Sequence, residues 1–229
     1  MIKALLALAG LALIAAPVAA EPPKAKTKPA ASTKSRRAKA KAPAFQLPPL
    51  SQAAQRVTSW VAQTGDNAGL PYVVIDKPTA TILVFDAKGT AVASGPVLLG
   101  IALGDDATPG VGNKSLSEIG PAEKTTPAGR YLAKFGRAAG NVKMLWVDYA
   151  NSVGIHTIPP ANKENRTKRM LSPGIDDNRI TYGCINVPKA IYNGKITQLF
   201  GKKGGYVYIL PDTKPLEAAF PPLYARPIS

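Results

Sequence analysis

The chain contains one cysteine and one histidine, and each lies in a segment whose residue types are suited to catalysis. Cys184 lies within the run TYGCINVP, residues 181–188, and His156 lies within GIHT, residues 154–157. A thiol nucleophile needs a base that takes its proton and N–H donors that stabilise the developing oxyanion. The backbone N–H groups of Gly183 and Cys184 are candidate donors. A helix predicted to begin at Pro188 would lower the thiol pKa.

The N-terminus has the features of a secretory signal peptide. Lys3 supplies a positive charge, residues 4–16 are apolar, and small residues at 18–20 suit signal peptidase. The apolar stretch is shorter than the ~20 residues that span a bilayer. We predict a signal peptide over 1–20 and an exported protein of the periplasm or cell wall. Exported proteins usually avoid an unpaired Cys in an exposed turn, which favours a reactive Cys184 over a buried apolar one.

Residues 21–47 form a basic segment rich in Pro, Ala and Lys. Residues 21–45 alone carry +7 of the formal net charge of +15. With so few apolar side chains, this segment is predicted to be a disordered linker. It is either a tether to an anionic envelope surface or a solvated spacer, and the sequence leaves both open. Nucleic acid is a poor candidate partner, because export removes the usual target and no aromatic residues alternate with the basic ones.

The remaining chain is predicted to fold mainly from short strands. Ser51 caps a short helix with one apolar face, within an N-terminal helix and lead-in at 48–71. Strands are predicted at 72–75, 81–85, 91–94, 97–103, 130–135, 144–149 and 206–210. A helix is predicted over 188–200, and residues 86–89 read as a hairpin turn. This pattern indicates a mainly β fold, a β-sandwich or open barrel with one or two short helices.

Four short motifs, in this order, resemble the catalytic domain of the L,D-transpeptidase (YkuD-like) family. They are VIDK at 74–77, TPAGRY at 126–131, His156, and TYGCIN at 181–186. The resemblance implies a catalytic domain over 72–212, followed by a Pro-rich C-terminal tail at 213–229.

The resemblance also implies a reaction and a role for each motif residue. Cys184 would attack a peptide carbonyl of a peptidoglycan stem peptide and hold the acyl group as a thioester. His156 would act first as base and then as acid, with the carbonyl of Thr157 orienting its ring. Gly183 would contribute to the oxyanion hole and Asn186 would support the motif. Tyr182 and Asn186 are also predicted to contact the substrate. No metal or organic cofactor is implied, and the acceptor, an amine or water, stays open.

The sequence departs from the family pattern in two places before Gly183. Tyr182 stands where the family usually has a His before Gly-Cys, and a phenol donates hydrogen bonds but is a poor base near neutral pH. A spacer of 24 residues, 157–180, separates His156 from Thr181 and is longer than the family's usual interval. We interpret it as a lid over the cleft, or alternatively as an exposed loop. Three of its arginines could receive the carboxylates of a wall peptide: Arg166, Arg169 and Arg179.

Two classes of function therefore remain. The first is an active cysteine acyltransferase of the L,D-transpeptidase or L,D-carboxypeptidase type. The second is a non-catalytic module that keeps the fold and binds peptidoglycan or another envelope component. A metal-dependent hydrolase is set aside because one Cys and one His cannot assemble a zinc site, and the acidic pairs at 105–106 and 176–177 are predicted turn or cap residues.

Overall fold

The computed structural model describes residues 45–160 and 164–223. The predicted signal peptide, all but three residues of the predicted linker, and residues 224–229 lie outside them. The strands are β1 Tyr72–Asp76, β2 Thr81–Phe85, β3 Ala91–Pro96, β4 Leu99–Gly100, β5 Gly129–Arg137, β6 Lys143–Asp148, β7 Val153–Thr157, β8 Arg179–Thr181, β9 Ile185–Val187 and β10 Gly205–Ile209. The α-helices are α1 Gln52–Thr64, α2 Arg166–Met170, α3 Lys189–Ile191, α4 Thr197–Phe200 and α5 Leu216–Ala219. The predicted mainly β class is confirmed.

One sheet of eight strands, in the order β3-β2-β1-β10-β5-β6-β7-β9, carries the fold. Its last strand turns back toward its first, because Leu98, just after β3, exchanges both backbone hydrogen bonds with Asn186 of β9. The short parallel pair of β4 and β8 continues this closure. The sheet is thus nearly a closed barrel, and β9 is held from both sides.

Helix α1 forms as its sequence predicts. The Ser51 hydroxyl accepts a hydrogen bond from the N–H of Ala54 at 3.1 Å, and Gly65 ends the helix in the left-handed conformation. Its apolar face, which includes Trp60, is buried against one side of the sheet together with residues that follow β10, among them Phe220 and Leu223. The packed unit therefore extends beyond the predicted 72–212 at both ends.

The larger core lies on the other face of the sheet, inside the barrel. It combines the inward side chains of the central strands with one helical segment, residues 189–200. That segment is the predicted helix, but its middle, Tyr192–Ile196, is a π-helical turn between α3 and α4. The hairpin turn at 86–89 is also confirmed, with Gly89 at a φ of +79° and the Asp86 carboxylate accepting the N–H groups of Lys88 and Thr90.

The predicted strand 97–103 is wrong in extent. Only Leu99–Gly100 is regular, because this stretch pairs in turn with three different partners. Leu98 pairs with Asn186, β4 pairs with β8, and Ala102 bridges to Thr125. The sequence prediction also missed β7, β8 and β9, the strands nearest the only Cys and the only His. Among the described residues, no helix has the length and apolarity to cross a membrane.

Candidate functional site

The only His lies on strand β7, and the only Cys lies directly before the neighbouring strand β9. Strands β7 and β9 are parallel, with His156 opposite Asn186 and Ile155 opposite Ile185. Side chains alternate along a strand, so the two isoleucines enter the core while His156 and Asn186 occupy the outer face. Cys184, directly before β9 and two residues from Asn186, joins that outer face. The alternation of apolar Val153 and Ile155 with other residues was the signal that could have identified β7.

The imidazole of His156 has a fixed orientation. Its Nδ1 lies 2.7 Å from the carbonyl oxygen of Thr157. A carbonyl only accepts hydrogen bonds, so Nδ1 carries the proton and the lone pair belongs to Nε2. The Thr157 carbonyl thus has the contact that its predicted orienting role requires, and that role itself stays a prediction.

The thiol of Cys184 is partly buried against the start of β7. Its Sγ lies 3.5 Å from the carbonyl oxygen of Ser152, to which it donates, and the N–H of Gly154 also faces it. Burial raises the pKa of Cys184, while the Gly154 N–H and the charge of Arg166 oppose that rise. The predicted lowering of this pKa by a helix N-terminus is wrong, because β9 separates Cys184 from α3, which begins at Lys189.

The histidine is perturbed in the opposite sense. Burial lowers the pKa of His156, the hydrogen bond to Thr157 opposes this, and the charge of Arg166 adds to the lowering. The pKa of the thiol is thus shifted upward and the pKa of the imidazole downward, each by burial of its charged form. The two shifts thus favour an uncharged thiol and imidazole over a thiolate–imidazolium pair.

The raised thiol pKa predicts a slow, alkaline-shifted alkylation of Cys184. Only the thiolate reacts, and an ordinary thiol with a pKa of about 8.5 approaches its maximal rate above pH ~9.5. We expect the rate for the folded chain to keep increasing beyond that pH. Intact-mass kinetics with iodoacetamide measure this directly, since the chain has one Cys. The chain unfolded in urea is the control. If the alkylation rate of the folded chain stopped rising at the same pH as that of the control, or at a lower pH, the prediction would be contradicted.

The turn before Cys184 is built from glycine and two threonines. Gly183 has a φ of +122°, and a Cβ there would lie 2.6 Å from the Thr125 carbonyl oxygen, so a larger residue does not fit. Its N–H donates to the Thr181 hydroxyl at 3.2 Å, and its carbonyl accepts from the Thr126 hydroxyl at 2.9 Å. The Gly183 N–H thus has a partner within the turn. The roles of the Gly183 and Cys184 N–H groups as oxyanion donors stay predictions.

Tyr182 lies at the outer edge of this turn. Its side chain is 37 % exposed, and the Lys124 ammonium lies 3.9 Å from the centre of its ring. A cation over an aromatic face is attracted by the ring quadrupole, so Lys124 helps to fix the ring. The contact of Tyr182 with substrate stays a prediction.

The three arginines of the spacer have different surroundings. Arg169 donates to the carbonyls of Asp177 and Arg179, and Arg179 pairs with the carboxylate of Asp212. These contacts tie the spacer to itself and to the segment after β10. Binding of a substrate carboxylate by Arg169 and Arg179 stays a prediction. Arg166 lies at the site, donating to Asn186 Oδ1 at 3.0 Å and pairing with Glu164.

A cluster of buried ions, which the sequence analysis missed, is connected to the turn at Gly183 through hydrogen bonds of Thr126. Lys77 is fully buried, with its ammonium 2.8 Å from Asp105 Oδ1, 3.2 Å from Asp212 Oδ2 and 2.8 Å from the carbonyl oxygen of Thr126. The Thr126 hydroxyl in turn holds Gly183. Burial disfavours the charged Asp105, but Lys77 and the N–H groups of residues 212–214 outweigh it and hold its pKa well below the usual range. Asp105 thus caps residues 212–214 and also forms an ion pair with Lys77.

A cavity of about 280 Å³ opens beside the histidine. His156 and Thr157 line it together with Met144, Tyr192 and other mainly apolar residues. A second cavity of about 550 Å³ lies between the spacer and α3, lined by residues that include Met170, Val187 and Lys189. Within residues 45–160 and 164–223, no three His, Cys, Asp or Glu side chains are grouped to hold a metal ion.

Comparison with known proteins gave structural neighbours only. No family model and no curated protein matches the chain. The catalytic domain of an Enterococcus faecium L,D-transpeptidase is similar with 17 % identity and a TM-score of 0.37, over 61 % of this chain and 96 % of that one. The helical cell shape determining protein Pgp2 of Campylobacter jejuni has 14 % identity and a TM-score of 0.43, over 71 % and 57 %. An L,D-transpeptidase of Stackebrandtia nassauensis has 15 % identity and a TM-score of 0.37, over 70 % and 65 %. The chain thus spans less than two thirds of the last two proteins.

Proposed function

We propose that this protein is an exported cysteine acyltransferase that acts on peptidoglycan stem peptides. The observation that carries the proposal is that the only His lies on β7, while the thiol of the only Cys, just before the paired strand β9, contacts residues at the start of β7, with the lone pair of His156 on Nε2. The peptide substrate is inferred from the resemblance of the motifs at 126–131 and 181–186 to those of L,D-transpeptidases. Export is inferred from the N-terminal sequence, and the basic linker would hold the enzyme near its anionic substrate.

The proposed reaction has two steps. In the first, Sγ of Cys184 attacks the carbonyl carbon before the terminal D-residue while Nε2 of His156 accepts the thiol proton. The C–N bond then breaks, and the imidazolium returns this proton to the leaving amine, which leaves a thioester. In the second step an amine or water attacks the thioester, loses its proton to Nε2, and expels the thiolate, which is reprotonated.

The backbone of the turn supports the charge that develops in both steps. An oxyanion formed at Cys184 needs N–H donors held before the reaction begins. The N–H of Cys184 belongs to a turn fixed by Thr181, Thr126 and, through Thr126, by Lys77. We therefore assign the buried cluster of Lys77, Asp105 and Asp212 a supporting role in catalysis, because it helps to hold the Cys184 N–H in place before the reaction begins.

Release of the terminal D-residue from a tetrapeptide stem tests the proposed function. We expect the wild-type protein to release it, with water or an added amine as acceptor, and Cys184→Ala to lose all detectable turnover. His156→Ala should lose about 10²-fold or more, since the attack then lacks its general base. Circular dichroism establishes that each variant is folded. Full turnover by either folded variant would exclude the mechanism.

A further inference from the structure

Arg166 of the spacer contacts the catalytic histidine through one intervening side chain. Arg166 Nη1 donates to Asn186 Oδ1 at 3.0 Å, and the Asn186 side chain is fully buried. On its other side, Asn186 Nδ2 lies 3.3 Å from Nε2 and 3.5 Å from Nδ1 of His156. The side chain of Asn186 is thus enclosed between a guanidinium and an imidazole.

The hydrogen-bonding chemistry of arginine fixes which way the amide points. A guanidinium has donors and no acceptor, so the amide atom that it contacts must be the oxygen. The NH₂ group of Asn186 then faces the imidazole. The amide nitrogen is almost equally far from the two ring nitrogens, so it lies over the face of the ring and leaves the in-plane lone pair of Nε2 open. The positive end of the amide dipole over this face favours the neutral imidazole and opposes its protonation.

We propose that Arg166 is a positioning residue that holds the Asn186 amide with its NH₂ group over the imidazole and thereby sets the protonation state of the catalytic base. The spacer, through Arg166 of α2 and Asn186, would then control the protonation of the base. This differs from the expectation that Arg166 receives a substrate carboxylate, because its guanidinium is engaged by Glu164 and Asn186. The catalytic meaning of this role rests on the proposed function, whereas the protonation state of His156 does not.

Among the described residues, several other elements contribute polar groups near His156. From β7 itself the partner is the Thr157 carbonyl, and from β9 the neighbour is Asn186. Strand β6 and the π-helical turn contribute Lys143 and Tyr192 to the cavity that His156 lines. The Lys143 ammonium lies over the Phe135 ring, and the Tyr192 hydroxyl donates to the Lys143 carbonyl. The spacer contributes Arg166, paired with Glu164.

Proton NMR titration of the only histidine tests the proposal without any substrate. The full mature chain, carrying no histidine tag, is compared with Arg166→Met. Without Arg166 the Asn186 amide can turn its oxygen toward the imidazolium ring, and the positive charge of the guanidinium is also lost. Both changes raise the pKa of His156, by ~1 unit together. Lys168→Met, which removes an exposed charge from the same helix, is the matched control and should shift this pKa by less than ~0.3 units.

A second pair of variants separates positioning from a direct charge effect. In an Asn186→Ala background, Arg166→Met should shift the pKa of His156 by less than half as much as in the wild type. An unchanged pKa in Arg166→Met, or an equal shift with and without Asn186, would overturn the proposal. If Arg166→Met does not fold, Arg166→Lys, which keeps the charge but loses the rigid fork, must still raise the pKa. In the active enzyme the acidic limb of kcat/KM should move by the same amount, whereas absence of turnover would bear only on the proposed function.

Discussion

A carbapenem should add its full mass once to the wild-type chain and not at all to Cys184→Ala. Attack of Sγ on the β-lactam carbonyl breaks the ring C–N bond, the ring nitrogen takes the thiol proton through His156, and no group departs. Sites that resemble those of L,D-transpeptidases are expected to react in this way. Loss of the nucleophile should reduce the acylation rate by ~10³-fold or more, which leaves no adduct on the time scale of the wild-type reaction.

Intact-mass analysis of the reduced, mature protein makes this measurement, because the chain offers a single thiol. Cys184→Ser is a matched control that keeps the size of the side chain while removing most of its nucleophilicity. An adduct on Cys184→Ala would place the reactive group elsewhere. Folded wild-type protein without an adduct would favour the non-catalytic envelope-binding module. Binding to isolated sacculi, compared at low and high salt, would then be the next experiment.

Lys77→Met should cause the largest loss of stability among single substitutions of charged residues. The change leaves Asp105 and Asp212 buried without the ammonium that they share, with side chains 1 % and 5 % exposed. Removing one partner of a buried ion pair costs about 3–5 kcal/mol in the free energy of unfolding. For a domain of this size the melting temperature should fall by ~6–20 °C. The turn at Gly183 should also loosen, because Thr126 loses the hydrogen bond from Lys77.

Lys214→Met is the matched control for this experiment. Lys214 pairs with Asp106, the neighbour of Asp105, but both side chains are exposed, so its loss should cost at most about 1 kcal/mol. Urea unfolding of both variants at pH 7 gives the comparison. In the double variant Lys77→Met, Asp105→Asn, part of the loss should return, since one unpaired charge is gone and the amide oxygen still accepts backbone N–H groups. Equal unfolding midpoints for Lys77→Met and Lys214→Met would show that the cluster adds no stability.

Acid should weaken the same cluster. The folded-state pKa of Asp105 lies below its value in the unfolded chain, so its stabilising contribution is complete above the unfolded pKa of ~3.9. As the pH falls from there through the folded-state pKa, this contribution is lost. Protonation then takes the negative charge from the partner of a buried lysine.

The local elements of this protein could be predicted from sequence because each depends on residues close together in the chain. Ser51 caps α1 within one helical turn, and Asp86 and Gly89 close a hairpin within four residues. Strands β1, β2 and β10 are runs of β-branched and aromatic side chains, which suit a buried sheet. The candidate nucleophile and base were also evident, since the chain has one Cys and one His.

The surroundings of those two residues depended on contacts between distant parts of the chain. Lys77 reads as a turn residue, and its burial depends on Asp105 and Thr126, which lie 28 and 49 residues further along. The thiol pKa was predicted to be lowered by a helix, yet Cys184 precedes a strand that forms only by pairing with β7 and Leu98. Sequence alone determined which groups could carry out the chemistry. Tertiary structure decided the direction in which their pKa values shift and the orientation of the imidazole, because burial and hydrogen-bond partners are set by residues that only folding brings together.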